Sequence, residues 1–449
     1  MSSDPTPLSA PHSRRKVLTW AGAGVLGVGA VSAGIAGIVT SRLGPSATTT
    51  DSGASVTDGF LTASRLHTLS MTVAESDLTS MVATYTSSGE KTWLKVSLTL
   101  DGTTYSNVGA RLKGNSSLMQ LLGGGKGGAN QGGPATSGSS APQSLPWLIR
   151  LNKYVPAQSH DGLHELVIRS STTSSAMNEA VALDLLAASG LASQQAAYVR
   201  FSVNGSTQVL RLAVENPAED WAGRLFTGTG TLYKADAEGD YSYRGADAAS
   251  YDTAWDIDAG TEDWKPLVSF LDFVNNSTDA DFSRGLATRL DTAKFATYLA
   301  FETLVDNFDD IDGPGNNSLL WWSAGSSSMT VLAWDHNLAF GTQNGGGARA
   351  GQQGQQRQGQ PGAMPSGAPA GGMPQGGGMN GKANALVTRF TTAHAADIAA
   401  AKTTLTSSLI SSGKGKASLA TWQALATASG LVAADTVTSE AAAISRYLG

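Results

Sequence analysis

Hydrophobic and polar positions change rhythm along this chain. From Leu66 to Leu118, short apolar runs alternate with polar residues and are broken by turns, the pattern of half-buried strands. LHTLSMTVAES predicts a strand and SDLTSMVATY a short helix. WLKVSLTLDGTTYSNVGARLKG predicts a hairpin turning at Asp101-Gly102, a pair that accepts positive φ. PWLIRLNKY and HELVIRSS return to strand. QQAAYVRFSVNGSTQVLRLAVEN predicts a second hairpin at Asn204-Gly205, and Met177–Ser189 has the period of a helix. From Trp264 helical periodicity dominates, in KPLVSFLDFVNN, DTAKFATYLAFETLVDN, ADIAAAKTTLTSSLIS, SLATWQALATASG and TSEAAAISRYL. Strands followed by helices predict an α+β fold, with a β-rich lobe over 66–215 and a helical lobe over 216–449.

Two tracts interrupt this pattern. Gly123–Gln143 has no aromatic residue, and Thr342–Lys382 is rich in Gly, Gln, Met and Pro with no acid. Neither can bury enough apolar area to offset its chain entropy, so 123–143 and 342–382 are expected to be disordered insertions. The 53 glycines exceed the usual ~7% share mainly because of them.

The 449 residues can bury a full core and hold two lobes. Net charge is −6 and charged residues are only 15%, which argues against a nucleic-acid partner. Cysteine is absent, so disulfides and thiolate metal sites are excluded. At the N-terminus, Arg14-Arg15 precede the charge-free run Val17–Val39. This resembles a twin-arginine export signal, and the run is also long enough to span a bilayer. Residues 1–45 therefore read as a signal or a retained anchor. The arginines would stay in the cytoplasm and the body would lie outside. Residues 46–65 read as a flexible linker.

The chemistry concentrates in Tyr298–Gly341. Asp306, Asp309, Asp310 and Asp312 follow an apolar helical run, Asn316-Asn317 open the next run, and Asp335 leaves a strand before Phe340-Gly341. An acid, an Asn and a second acid leaving a strand are what phosphoryl transfer uses: one acid orients the acceptor hydroxyl, and the others hold Mg²⁺. The alternative is a set of loop acids that cap helices and turns.

NFDDIDGPGNN followed by VLAWDHNLAFG resembles the CotH family, the spore-coat-type atypical protein kinases. Asn307, Asp309, Asn317, Trp334, Asp335, Asn337, Phe340 and Gly341 stand at its motif positions. Upstream, VGARLKGNSSL, MNEAVALDLLAASGL, VNGSTQVLRLAVENPAEDW and TLYKA are similar to further family segments, in order, from about Leu66 to about Arg446.

The resemblance implies a two-lobed kinase-like domain over 66–449 that uses ATP and Mg²⁺. It implies Asp309 as the catalytic acid, with Asp312 as a rival at the D-x₄-N step to Asn317. Asn317 and Asp335 would hold metal. Glu179 would pair with a basic residue, Arg150 or Arg111. Lys113 and Lys234 would reach phosphates, with Asn115 and Ser116 in a phosphate-cradling turn. Glu215 would join the lobes near the adenine. Asp306 and Asp310 read as solvated loop acids or helix-end residues. Asn337 stands where many family members carry a second Asp. The implied activity is phosphoryl transfer to Ser or Thr of an envelope protein or of the chain itself. The alternative is a non-catalytic surface or spore-coat-like protein on a kinase-like scaffold, because ATP is scarce outside a membrane.

Overall fold

The computed structural model describes residues 59–114, 116–122, 141–236, 239–312, 317–342 and 384–449. The expected signal or anchor over 1–45 lies outside them, as do 46–58 of the expected linker and most of both tracts. Among the described residues, no helix is long and apolar enough to cross a membrane.

The first half contains β1 (His67–Thr72), α1 (Glu75–Ser88), β2 (Leu94–Leu100), β3 (Thr103–Leu112), α2 (Ser116–Leu122), β4 (Trp147–Arg150), β5 (Glu165–Ile168), α3 (Met177–Ala188), β6 (Ala196–Val203) and β7 (Val209–Glu215). The strands close into a barrel in the order β1-β2-β3-β4-β5-β7-β6. All neighbours are antiparallel except β1 and β6, whose parallel pairing shuts the barrel. The Asn204-Gly205 hairpin has φ of 51° and 72°, the two positive values that match the twist of paired strands.

Alternate side chains of each strand fill the barrel, among them Leu69, Leu98, Ile149, Val199 and Phe201. In β6 and β7 the opposite set is buried too. Tyr198, Leu212 and Val214 pack into a second core with α3 and the C-terminal helices. Both faces are covered, so these strands read as nearly continuous apolar runs.

The second half contains α4 (Glu219–Leu225), β8 (Gly230–Ala235), β9 (Trp255–Gly260), α5 (Lys265–Asn276), α6 (Asp279–Gly285), α7 (Thr292–Leu304), β10 (Ser318–Ser323), β11 (Ser328–Ala333), α8 (Ala385–Ala393), α9 (Ala395–Leu405), α10 (Lys414–Ser429) and α11 (Ala434–Ser445). An antiparallel sheet, β11-β10-β8-β9, lies among the helices. One face (Tyr233, Leu320, Val331) joins the helical core, and the other (Leu232, Leu319, Leu332) packs on Trp221 of α4.

The fold is therefore α+β, and the structure adds two details to the expected layout. The β-rich half is a closed barrel, and the half expected to be helical carries a four-stranded sheet. Its short strands bury both faces, so they carry little alternation. Helix α3 packs with the C-terminal helices: Asp184 accepts hydrogen bonds from Ser418 Oγ (2.6 Å) and Trp422 Nε1 (2.8 Å). The last linker residues are packed, with the Phe60 ring 4.5 Å from His67 and 5.4 Å from His160. The last residues of the first tract are ordered, contrary to expectation: Pro142–Ser144 form a single helical turn in which the Gln143 carbonyl accepts from Arg211 Nη1 at 2.7 Å.

Candidate active site

Two loops converge at the C-terminal end of α7. The helix starts where the Asp291 side chain accepts from Lys294 N. It stops where Asp306 turns left-handed, with φ of 48°. Asp309 follows on the outgoing loop. The second loop leaves β11 through buried Trp334 and reaches Asp335, also left-handed at φ 66°. Buried Glu302 ties the two loops together: it accepts from Asn307 Nδ2 at 2.9 Å and lies 3.1 Å from His336 Nε2. Burial opposes charge on His336, but Glu302 outweighs it and raises the imidazole above its ordinary value.

The Phe340-Gly341 turn docks on the end of α7. Phe340 N donates to Val305 O at 2.5 Å and Gly341 N to Asp306 O at 3.2 Å. Gly341 has φ of 65°, and a Cβ there would stand 2.3 Å from Tyr447 Oη. The positive φ favours glycine here, and a larger residue would also have to displace the Tyr447 hydroxyl.

The acidic centre is Asp309 with Asp335. Burial and the nearby Asp335 charge push the Asp309 carboxyl up to about 6, against a hydrogen bond from the Asn317 side chain. Asp335 is in turn bound by Arg169 Nη2, while Arg169 Nε lies 2.8 Å from Glu179 Oε1. Burial opposes the Arg169 charge, but the two carboxylates more than offset it and raise its pKa. Burial pushes the Glu179 carboxyl up, the Arg169 charge opposes this, and the nearby Asp335 charge adds to the rise.

Beside this centre lies a cationic one. Lys113, at the end of β3, donates to Asn216 Oδ1 at 2.7 Å, and Asn216 Nδ2 donates to Glu165 Oε1 at 3.0 Å. Burial, then the charges of Lys234 and Arg111, push the Lys113 ammonium down to about 7. The same causes bring Lys91 down to about 8. Trp334 joins the two centres, with Lys113 Nζ 5.7 Å and Arg169 Cζ 5.5 Å from its ring centroid. Cations clustered beside buried carboxylates suit a phosphate that arrives with a metal ion.

The family model described as CotH kinase protein matches residues 111–395, more than half of the chain. The chain belongs to the CotH kinase family. No curated protein matches it. The family match spans every residue of the two centres except Lys91.

The family suggests use of a divalent metal ion, and the donor chemistry fits one. Asp309, Asn317 and Asp335 offer hard oxygens. The buried Asn307 Oδ1 and Asn337 Oδ1, two positions from each Asp, have no hydrogen-bond partner among the described residues. No group of three or more His, Cys, Asp or Glu among these residues could hold a metal alone.

The remaining expected site residues fall in several places. Arg111 and Arg150 lie over Trp93, with guanidinium carbons 5.1 Å and 5.7 Å from the ring centroid. Arg150 is not the partner of Glu179. It binds Glu165 Oε2 at 2.6 Å, because β4 and β5 place these two residues directly opposite each other. Arg169 takes the place expected of Arg150 or Arg111. Lys234 is opposite Asp256 on β9. Both Glu215 oxygens are engaged, by Arg224 (3.0 and 2.5 Å) and Gln195 N (3.1 Å), so its side chain ties β7 to α4. Ser116 opens α2, Asn115 lies outside the described residues, and Gly114 has φ of 102°. Asp310 is buried and accepts from Asp312 N at 2.9 Å, so it is not a solvated acid. Asp306 accepts from Tyr447 Oη at 2.8 Å.

The residues that the sequence reading missed are Arg169, Asn216 and Glu302. Arg169 left one signal, a lone cation directly after the buried run Glu165–Ile168.

Proposed function

We propose that this chain is a Mg²⁺- and ATP-dependent protein kinase that transfers the γ-phosphoryl group to Ser or Thr of an envelope protein or of itself. The observation that carries this reading is the convergence of Asp309, Asn317 and Asp335 beside Lys113. Asp309 orients the acceptor hydroxyl and takes its proton. Asn317 and Asp335 would hold Mg²⁺, which neutralises charge on the transferring phosphate when bound. Lys113, with Lys234 and Arg111, faces the phosphates. In this reading the barrel half acts as the N-lobe and the rest as the C-lobe. The N-terminal segment exports or tethers the domain, and a folded-cargo export route allows phosphorylation before export.

One observation favours a second reading, a non-catalytic scaffold at the cell surface or in a spore-coat-like layer. Asp335 is already neutralised by Arg169, as it would be if Arg169 had replaced the metal. Radiolabelled ATP with Mg²⁺ separates the two: label should enter the full chain, and none should do so with EDTA. No label at any divalent cation concentration would leave the scaffold reading.

The pH profile gives a sharper test. In free enzyme, Asp309 gains base activity as pH rises through about 6, and Lys113 loses its charge as pH rises through about 7. A plot of kcat/KM for ATP should therefore be bell-shaped with limbs near these values. Lys113→Arg keeps the cation charged and should remove the falling limb. A falling limb unchanged in that variant would dissociate Lys113 from the phosphates.

A further inference from the structure

The C-terminal helix α11 lies beyond the family match, which ends at residue 395. It nevertheless reaches the candidate site. Glu440 accepts hydrogen bonds from Ser174 N (2.7 Å), Ser175 N (3.0 Å) and Ser175 Oγ. Ser174 and Ser175 belong to the strap that joins Arg169 to the start of α3. That start has an unusual geometry. Ala176, at the N-cap, is left-handed at φ 55° and supplies no side-chain cap. A carboxylate from α11 thus holds the two amides just before the N-cap, while Thr173 Oγ1 accepts from Ala176 N at 3.1 Å and Ser175 Oγ from Met177 N at 3.3 Å.

The first turn of α3 carries the contacts that hold the Asp335 loop. Asn178 Nδ2 donates to Asn337 O at 2.5 Å, and Glu179 holds Arg169, which binds Asp335. Asn178 is itself fixed by Thr173 Oγ1 at 3.0 Å, from the same strap. The far side of the site has a second link to the C-terminus, through Tyr447 and Asp306.

We propose that Glu440 is a positioning residue for phosphoryl transfer. It fixes the Ser174–Ala176 strap, and through Asn178 and Glu179 it sets the place of Asp335. The claim rests on the kinase reading for its catalytic meaning but not for its mechanical one. A carboxylate shared by two successive amides and a hydroxyl holds backbone more firmly than a neutral group. Its loss releases Ser175, whose Oγ accepts from Met177 N, and lets the left-handed Ala176 shift; a displacement of about 1 Å at a reacting group costs up to ~10²-fold in rate.

The test uses the full chain with Glu440→Gln, Glu440→Ala and, as comparison, Asp184→Asn. The last disturbs the contact of the same helix with α10, away from its first turn. With Mg²⁺-ATP, Glu440→Ala should raise the Mg²⁺ concentration needed for half-maximal transfer and lower kcat by about tenfold or more. Glu440→Gln should fall between it and wild type. Asp184→Asn should lower Tm without moving the Mg²⁺ requirement. A Glu440→Ala enzyme with wild-type Mg²⁺ requirement and rate would overturn the proposal, as would an equal shift in Asp184→Asn at equal loss of Tm.

Amide exchange of the protein without nucleotide is the second readout. Glu440→Ala should speed exchange both at 174–179 and at 336–341. Faster exchange confined to 174–179 overturns the coupling, whatever the activity. If wild type transfers no phosphate while 336–341 still responds, the kinase reading falls and the mechanical link from Glu440 stands.

Discussion

Replacing Asp335 by asparagine should abolish phosphoryl transfer while leaving the fold nearly intact. Asparagine matches the size of the carboxylate and is among the residues that tolerate the left-handed backbone found here, φ 66°. Arg169 keeps its second partner, Glu179, so the guanidinium is not stranded. Removing the Asp335 charge also relieves Asp309, whose carboxyl it helps to push up. These local effects oppose one another, and the apo stability should change by only about 1 kcal/mol. The catalytic effect is larger. Loss of a charged metal contact in the transition state costs several kcal/mol, hence at least ~10²-fold in rate. Paired melts with and without Mg²⁺-ATP check it, with Glu262→Gln as an exposed-acid control. Wild type and control should gain the same Tm shift, and Asp335→Asn should gain none. Equal shifts in all three proteins would remove Asp335 from the metal site.

The Asp335 loop was legible because its signals are local. An apolar strand, an exit acid and a Phe-Gly pair lie within a few residues, and each has a short-range cause: Gly341 takes a positive φ of 65°, and the left-handed Asp335 turns the chain out of β11. The two hairpins were legible for the same reason, since Asp101-Gly102 and Asn204-Gly205 set their own backbone angles. Barrel closure was not. It depends on β1 lying parallel to β6, with His67 beside Val199, and no local pattern encodes a pairing at that separation.

The ion pairs divide similarly. Arg150 with Glu165 follows from the β4–β5 register, so counting across that hairpin would have found it. Arg169 could not be counted. One of its partners is on the next helix and the other is 166 residues away. Asp310 was misread because acids in a loop are usually solvated, whereas this loop folds back under α7, where Ile311 N lies 3.4 Å from Tyr298 Oη.

Replacing Arg169 by methionine should produce the largest loss of stability at the site. Methionine keeps the length and apolar stem but removes the charge that two carboxylates share. The Arg169 side chain is 11% exposed and that of Glu179 is 4% exposed, so water cannot take over the lost role. An uncompensated buried charge costs about 3–5 kcal/mol. The loss should depend on pH. Glu179 already has a folded pKa raised by burial, and without Arg169 it rises further. A carboxyl with its folded pKa above its unfolded value binds protons better when folded. Stability therefore increases as pH falls through the window between the two values. Chemical denaturation should show the deficit largest near pH 8 and shrinking toward pH 5. Adding Glu179→Gln to Arg169→Met should recover part of the deficit at pH 8, because it removes the stranded charge. Arg169→Lys should be intermediate, since an ammonium cannot bridge both carboxylates with a planar fork. A pH-independent deficit, with no recovery in the double variant, would show that Arg169 contributes packing alone and that Asp335 and Glu179 do not depend on its charge.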